Sequence, residues 1–252
     1  MPFTFSHPAI VLPLYKLRKN YFSATGLVMG SIAPDFEYFI RMQKMPSEYS
    51  HTLPGLFLFN LPVALALAFM YHLLVKKPLL HNLPGWLSGR FWRTLDLNWL
   101  SYFRDRWPVV IVSVLLGAAS HLLWDWFTHY VHDTNITNPE PIYYLTLFDQ
   151  KFEIYIYTIF HFLNSLVGLM VLLYLFLQLP VNRVSRREYQ SGFFWIAVLM
   201  ICFSIFLLRM YFRPFYTIDE FVTILIAALL LALFAVSLIW RVKRHFNLKC
   251  FA

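Results

Sequence analysis

Five apolar runs, near 53–75, 107–130, 152–180, 191–212 and 219–242, constrain the fold more than any other feature of the sequence. Each has the length needed to cross a bilayer. Hydrocarbon offers no water to backbone N–H and C=O groups, so runs of this kind must be helical. Two weaker segments precede them. One, "ATGLVMGSIAPDFEYFIR" at 24–41, is interrupted by Pro34 and Asp35, and the other is a short stretch at 7–18. The expected fold is an all-α polytopic transmembrane helical bundle of about six or seven membrane segments. Residues 77–106 carry Trp86, Arg90, Phe91, Trp92, Arg93, Trp99, Arg104 and Arg106. Aromatic and basic residues mixed at this density predict an amphipathic segment lying on the membrane interface.

Charge is then read loop by loop. With 59% hydrophobic and 13% charged residues, the net charge of +8 marks no nucleic-acid surface, and no nucleic-acid partner is expected. Lys16, Arg18 and Lys19 form one basic turn, and Lys76, Lys77 and four arginines fill 76–106. Arg183, Arg186 and Arg187 form a third basic stretch; Arg241, Lys243, Arg244 and Lys249 form the tail. These four segments are expected on the cytoplasmic side. The base-poor 131–151 loop, with Asp133, Glu140 and Asp149, and the 213–220 turn, with Asp219 and Glu220, are expected outside, although Arg209 and Arg213 pull the other way. The C-terminus is therefore expected in the cytoplasm and the N-terminus outside. The charges of "MPFTFSHPAIVLPLYKLRKN" come after its apolar part, the reverse of a cleavable signal peptide. Cys202 and Cys250 imply no disulfide framework.

Against this background, "SHLLWDWFTHYVH" at 120–132 is unusual, because it puts an acid and three imidazoles on a spanning helix. A carboxylate at mid-membrane costs roughly 2.5–3.5 kcal/mol, so such groups face a cavity or a partner. His121, Asp125 and His129 succeed one another at intervals of four, and His132 returns to the same face. The topology, derived from Lys and Arg alone, also puts His7, Asp35, His51 and His161 at compatible depths toward the outer leaflet. Glu37 lies near Asp35. Mixed imidazole and carboxylate donors suit zinc, and also manganese or iron. Such ions activate water for hydrolysis near neutral pH. His7, Asp35, His51, His121 and Asp125 are the expected metal ligands, with His129 and His161 as further ligands or supporting groups. Glu37 and Asp125 are the carboxylates expected in catalysis. His72, His81 and His245, on the cytoplasmic side and without an acid nearby, read as interfacial or solvated. Gly26, Gly30 and Ser31, and then Gly117, Ala118, Ala119 and Ser120, read as positions of close helix packing.

The stretches "MPFTFSHP", "GLVMGSIAPDFEYF", "SHTLPGL" and "GAASHLLWDWFTH" resemble a bacterial membrane-protein family of unknown function. The match covers about the first 130 residues and extends more weakly to "FHFLNSLVGL". That family is similar in turn to the YdjM-type membrane-bound metal-dependent hydrolases, with their N-terminal His, "PDxD", "THS" and "SHxxxD" elements. It is distantly similar to the zinc-dependent phospholipase C and nuclease superfamily. The matching positions are His7, Asp35, His51, His121 and Asp125; Glu37 replaces the second Asp, and Pro46 stands where the YdjM type has a further His. The resemblance implies an integral protein of the bacterial inner membrane, built as one domain over 1–252. In it, 1–165 forms the metal-site core and 166–252 adds spanning helices. It also implies hydrolysis of a phosphoester on a lipid or lipid-linked substrate, with membrane lipids as partners. Two readings from other classes stand beside it: a proton- or ion-coupled transporter using the same His/Asp cluster, and a scaffold whose polar seam only fixes helix packing.

Overall fold

The computed structural model describes residues 3–43, 49–133, 143–147, 150–154, 156–181, 191–215 and 217–249. Helices dominate: α1 Pro8–Leu17, α2 Ala24–Ile32, α3 Phe36–Arg41, α4 Leu53–Asn82, α5 Gly85–Phe91, α6 Trp99–Asp133, α7 Ile156–Leu177, α8 Ser191–Phe212 and α9 Ile218–Lys249. Within α4, α6, α7, α8 and α9 lie five stretches long and apolar enough to cross a membrane, so the all-α membrane bundle holds. The expected span at 24–41 is two short helices parted at Ala33–Asp35. Ala33 keeps helical angles (φ −59, ψ −38), but Pro34 has no N–H with which to continue the hydrogen-bond ladder, and α2 ends there.

One short antiparallel ribbon departs from the helical expectation. Strand β1 Tyr143–Leu147 pairs with β2 Gln150–Ile154, and Tyr143 lies opposite Ile154. Consequently α7 begins at Ile156 rather than near 152. Polar Lys151 and Glu153 alternate with Phe152 and Ile154, the two-residue period of a strand.

The chain groups into two compact units. The first comprises Met1–Pro34, Tyr49–Ala64 and Pro108–Gln178; the second comprises Asp35–Glu48, Leu65–Trp107 and Leu179–Ala252. In the first unit, a seam of small residues lets α2 and α6 touch along their backbones. A Cβ built on Gly30 would lie 2.2 Å from the Val114 carbonyl oxygen, and one on Gly117 would lie 2.4 Å from that of Leu27. Ser23 caps α2 by accepting from the Gly26 amide at 3.2 Å, while its own amide donates to Ser113 Oγ at 2.8 Å. The N-terminal segment is fastened to α7 by the Phe3 amide, which donates to Ser165 Oγ at 2.7 Å. In α6, Arg106 leaves helical backbone (φ −134, ψ 24) two residues before Pro108, whose ring displaces the preceding turn.

In the second unit, α8 and α9 pack through Phe194, Val198 and Cys202 against Ala228, Ala232 and Val236. Alanines at intervals of four allow close approach in a membrane, where no hydrophobic effect drives helices together. His72 corrects the solvated reading: it is buried and stacks on Trp99, with ring centroids 4.4 Å apart and planes 1° from parallel. One turn on, buried Lys76 donates from Nζ to the carbonyls of Thr94 at 2.8 Å and Leu97 at 3.0 Å. A basic residue in a span found carbonyls at the end of the 3₁₀ turn Trp92–Asp96. Lys76→Met should leave those carbonyls without the ammonium, at about 1–3 kcal/mol for each buried acceptor. A lower melting temperature and new proteolytic cleavage within 92–98 are the expected readouts. An unchanged melting temperature and digest would contradict that role.

Candidate metal centre

The site in the first unit is built around Asp125. His121 and Asp125 are four apart on α6, so their side chains leave the same helix face; both are buried. His121 Nε2 lies 3.4 Å from Asp125 Oδ2. His51 comes from the turn before α4, and its Nε2 also lies 3.4 Å from Oδ2. Local chemistry shapes that turn: Thr52 Oγ1 donates to the Tyr49 carbonyl at 2.9 Å and accepts from the Gly55 amide at 3.0 Å. Gly55 is required there, because a Cβ would fall 1.7 Å from the Tyr49 oxygen. His7 immediately precedes α1. Its ring stacks on that of His121 with centroids 3.8 Å apart, and its Nε2 lies 3.8 Å from Asp125 Oδ1. The carboxylate thus divides its oxygens, with Oδ2 toward His51 and His121 and Oδ1 toward His7. One ligand atom each from His51, His121 and Asp125 lies within 4.8 Å of the others, a group that can hold a metal ion.

The orientation of His121 is fixed from behind. Its Nδ1 lies 2.7 Å from the Ser31 carbonyl oxygen, which only accepts, so Nδ1 carries the proton and donates. In the neutral imidazole the lone pair of Nε2 then points at a carboxylate oxygen. Two acceptors face each other at 3.4 Å in a buried position, an arrangement that calls for a proton or a cation between them. A carbonyl holding the far nitrogen is the usual support of a metal-binding histidine. The α2–α6 seam makes this possible, because Ser31 is the residue after Gly30 and the seam brings its carbonyl to α6.

Asp35 is buried and is the first residue of the second unit, one peptide bond beyond Pro34. Glu37 is also in the second unit, where Arg41 Nη2 meets its Oε1 at 2.7 Å. His161 lines an open groove of about 370 Å³ with Phe3, Phe162, Ser165, Leu166 and Leu169. His129 and His132 fall outside the described side chains, as does His245.

Three residues that matter to the site had only faint signals. Ser31 reads as a packing residue, and its contribution is a backbone carbonyl that no side-chain pattern reveals. Ser50 reads as part of a turn, yet its Oγ lies 2.9 Å from His51 Nδ1. Asn60 is a lone amide in the apolar run "GLFLFNLPVALALAF", and a polar residue inside a span is itself a signal.

The model of a family described as "Domain of unknown function (DUF4184)" matches residues 1–239. No curated protein and no solved structure matches the chain.

Proposed function

We propose, for a chain that belongs to the DUF4184 family, the function of a membrane-bound metal-dependent hydrolase acting on a phosphoester of a lipid or lipid-linked substrate. The observation that carries this reading is His121, whose Nδ1 is held by the Ser31 carbonyl while Nε2 faces Asp125 Oδ2 at 3.4 Å. Three imidazoles around one buried carboxylate form a donor set that fits zinc, with manganese or iron as lesser fits. Two donors about 2.1 Å from a tetrahedral ion stand about 3.4 Å apart. The distances from His121 and His51 to Oδ2 match that edge. A carboxylate that divides its oxygens can serve one ion or bridge two, about 3.5–4 Å apart.

A divalent ion bound here would supply Lewis acidity and a nucleophilic water at neutral pH. The chain's own residues do the rest. His51 and His121 bind through Nε2, Ser31 orients His121, and His7 joins the donors from the Oδ1 side. With a single ion on the Oδ2 side, Asp125 Oδ1 is the oxygen that would take up a proton in turnover. Glu37, the other carboxylate expected to act as base, is engaged by Arg41. A mostly apolar groove of about 130 Å³ lined by His7, Ser6, Trp124, Asn164, Val167 and Val171 opens beside the site, and such a lining suits the apolar part of a lipid substrate. The distribution of Lys and Arg among the loops supports, for this reading, a site toward the outer leaflet of a bacterial inner membrane and a cytoplasmic C-terminus.

Elemental mass spectrometry on the detergent-purified protein tests the reading. One or two equivalents of zinc, manganese or iron are expected, falling to background in a folded His121→Ala variant. Turnover of lipid phosphoesters should fall in step. A folded wild type that holds no metal even after divalent ions are added back would sink the hydrolase and favour a proton path.

A further inference from the structure

We infer that Asn60, acting through Ser50, is a positioning residue for His51. This deepens the metal-centre reading and rests on it for the role of His51.

Asn60 is fully buried in a span whose neighbouring residues are almost all apolar. It closes the π turn Leu56–Asn60 at the start of α4. Such turns carry one residue more than a regular helix needs and recur at functional sites. The extra residue rotates the remainder of the helix by about 100°. At the end of that turn, Asn60 Nδ2 donates to the Ser50 carbonyl at 2.8 Å. Ser50 Oγ lies 2.9 Å from His51 Nδ1, and His51 Nε2 lies 3.4 Å from Asp125 Oδ2. Three links therefore run from the membrane span to the carboxylate. Metal binding through Nε2 requires the tautomer in which Nδ1–H donates to Ser50 Oγ. The amide of Asn60 holds the Ser50 backbone where its hydroxyl can receive that proton.

The other half of the amide argues against a stabilising role. Asn60 Oδ1 is buried with no hydrogen-bond partner among the described residues. An apolar side chain of similar size would fit the span without desolvating an unused acceptor. Placing the Ser50 backbone needs a donor at this position, which Asn supplies and Leu lacks.

That contrast supplies a test in which affinity and stability move apart. In Asn60→Leu, the zinc dissociation constant, measured by competition with a chromophoric chelator, should rise about 10–100-fold, the usual loss when a supporting partner of a metal ligand is removed. The melting temperature should fall by no more than one lost buried hydrogen bond accounts for, since the buried Ser50 carbonyl loses its donor while the Oδ1 acceptor no longer has to be desolvated. Ser50→Ala should weaken zinc by a similar factor. The double variant should be no weaker than the worse single, because both cut one chain. Asn60→Gln, which keeps the donor, should recover part of the affinity. In the metal-free protein, the ¹⁵N shifts of the His51 ring should change in both Asn60→Leu and Ser50→Ala. Wild-type zinc affinity in Asn60→Leu, or unaltered His51 ring shifts, would overturn the assignment. A wild type that binds no zinc would instead overturn the metal reading, while the ring shifts would still decide whether Asn60 positions His51.

Discussion

Asp125→Asn protein is expected to purify folded and free of metal, with an affinity lower by on the order of 100-fold or more, beyond the loss typical of a supporting residue. The substitution changes neither shape nor volume, so it leaves no cavity. It removes the negative charge and one acceptor oxygen. All three imidazoles that the structure brings together address this one side chain: His51 and His121 at Oδ2, each at 3.4 Å, and His7 at Oδ1, at 3.8 Å. An amide can offer a single acceptor, and its NH₂ would face nitrogens that a metal needs unprotonated. Titration with zinc or cobalt, then elemental analysis after desalting, reads the result directly. Retention of metal at the wild-type level would show that the histidines bind without the carboxylate, and a site centred on Asp125 would be wrong. Asp125→Ala is the less informative variant. It opens a cavity and leaves buried imidazoles without the acid, a loss of about 3–5 kcal/mol when one member of a buried pair is removed.

The second large effect is expected away from any ligand. Gly30→Ala should lower stability by about 3 kcal/mol or more, at or above the top of the usual range for overpacking, and should abolish metal binding with it. Its Cβ would sit 2.2 Å from the Val114 carbonyl oxygen and 2.9 Å from the Val114 Cα and carbonyl carbon. An ordinary carbon–oxygen contact is about 3.3 Å, so α2 and α6 would have to part by about 1 Å. These neighbours are backbone and cannot swing aside as a side chain would. The next residue is Ser31, whose carbonyl holds His121 at 2.7 Å, and a shift of that size breaks the bond. Gly192→Ala is the control, since among the described residues nothing beyond its own helix turn lies within 4 Å of the added carbon; it should melt at or slightly above wild type. Thermal melts of the three proteins in one detergent, each with and without zinc, separate the outcomes. A Gly30→Ala protein as stable as wild type would refute the close α2–α6 contact.

Several features were legible because they are local. Apolar length located all five spanning stretches, the last two to within a residue at each end, while the stretches at Leu53–Asn82, Trp99–Thr128 and Ile159–Leu177 each miss one expected end by seven or eight residues. The interval of four between His121 and Asp125 required a shared helix face, and the structure keeps both buried there. Gly26, Gly30 and Gly117 read as close packing and are found at the seam. Other features were not. The ribbon at 143–154 competes with an apolar run whose early residues read as helix, and short segments of that kind are ambiguous between the two periods. His72 lacks an acid in sequence reach and so reads as solvated. Its partner is the flat face of Trp99, twenty-seven residues away.

By itself, the sequence determined that this chain is a bundle of membrane helices and pointed to a set of His and Asp residues, of which the structure gathers His7, His51 and His121 around Asp125. Both arise from periodicity and from the cost of placing polar groups in hydrocarbon. Only the tertiary structure decided which way those groups point. The Ser31 carbonyl selects the proton position on His121, Ser50 and Asn60 hold His51, and the division of Asp125 between its two oxygens sets which histidine addresses which. Apart from the neighbouring Ser50, orientation depends on contacts between residues ten to more than a hundred positions apart, several made by backbone atoms, and such contacts leave no trace in residue type.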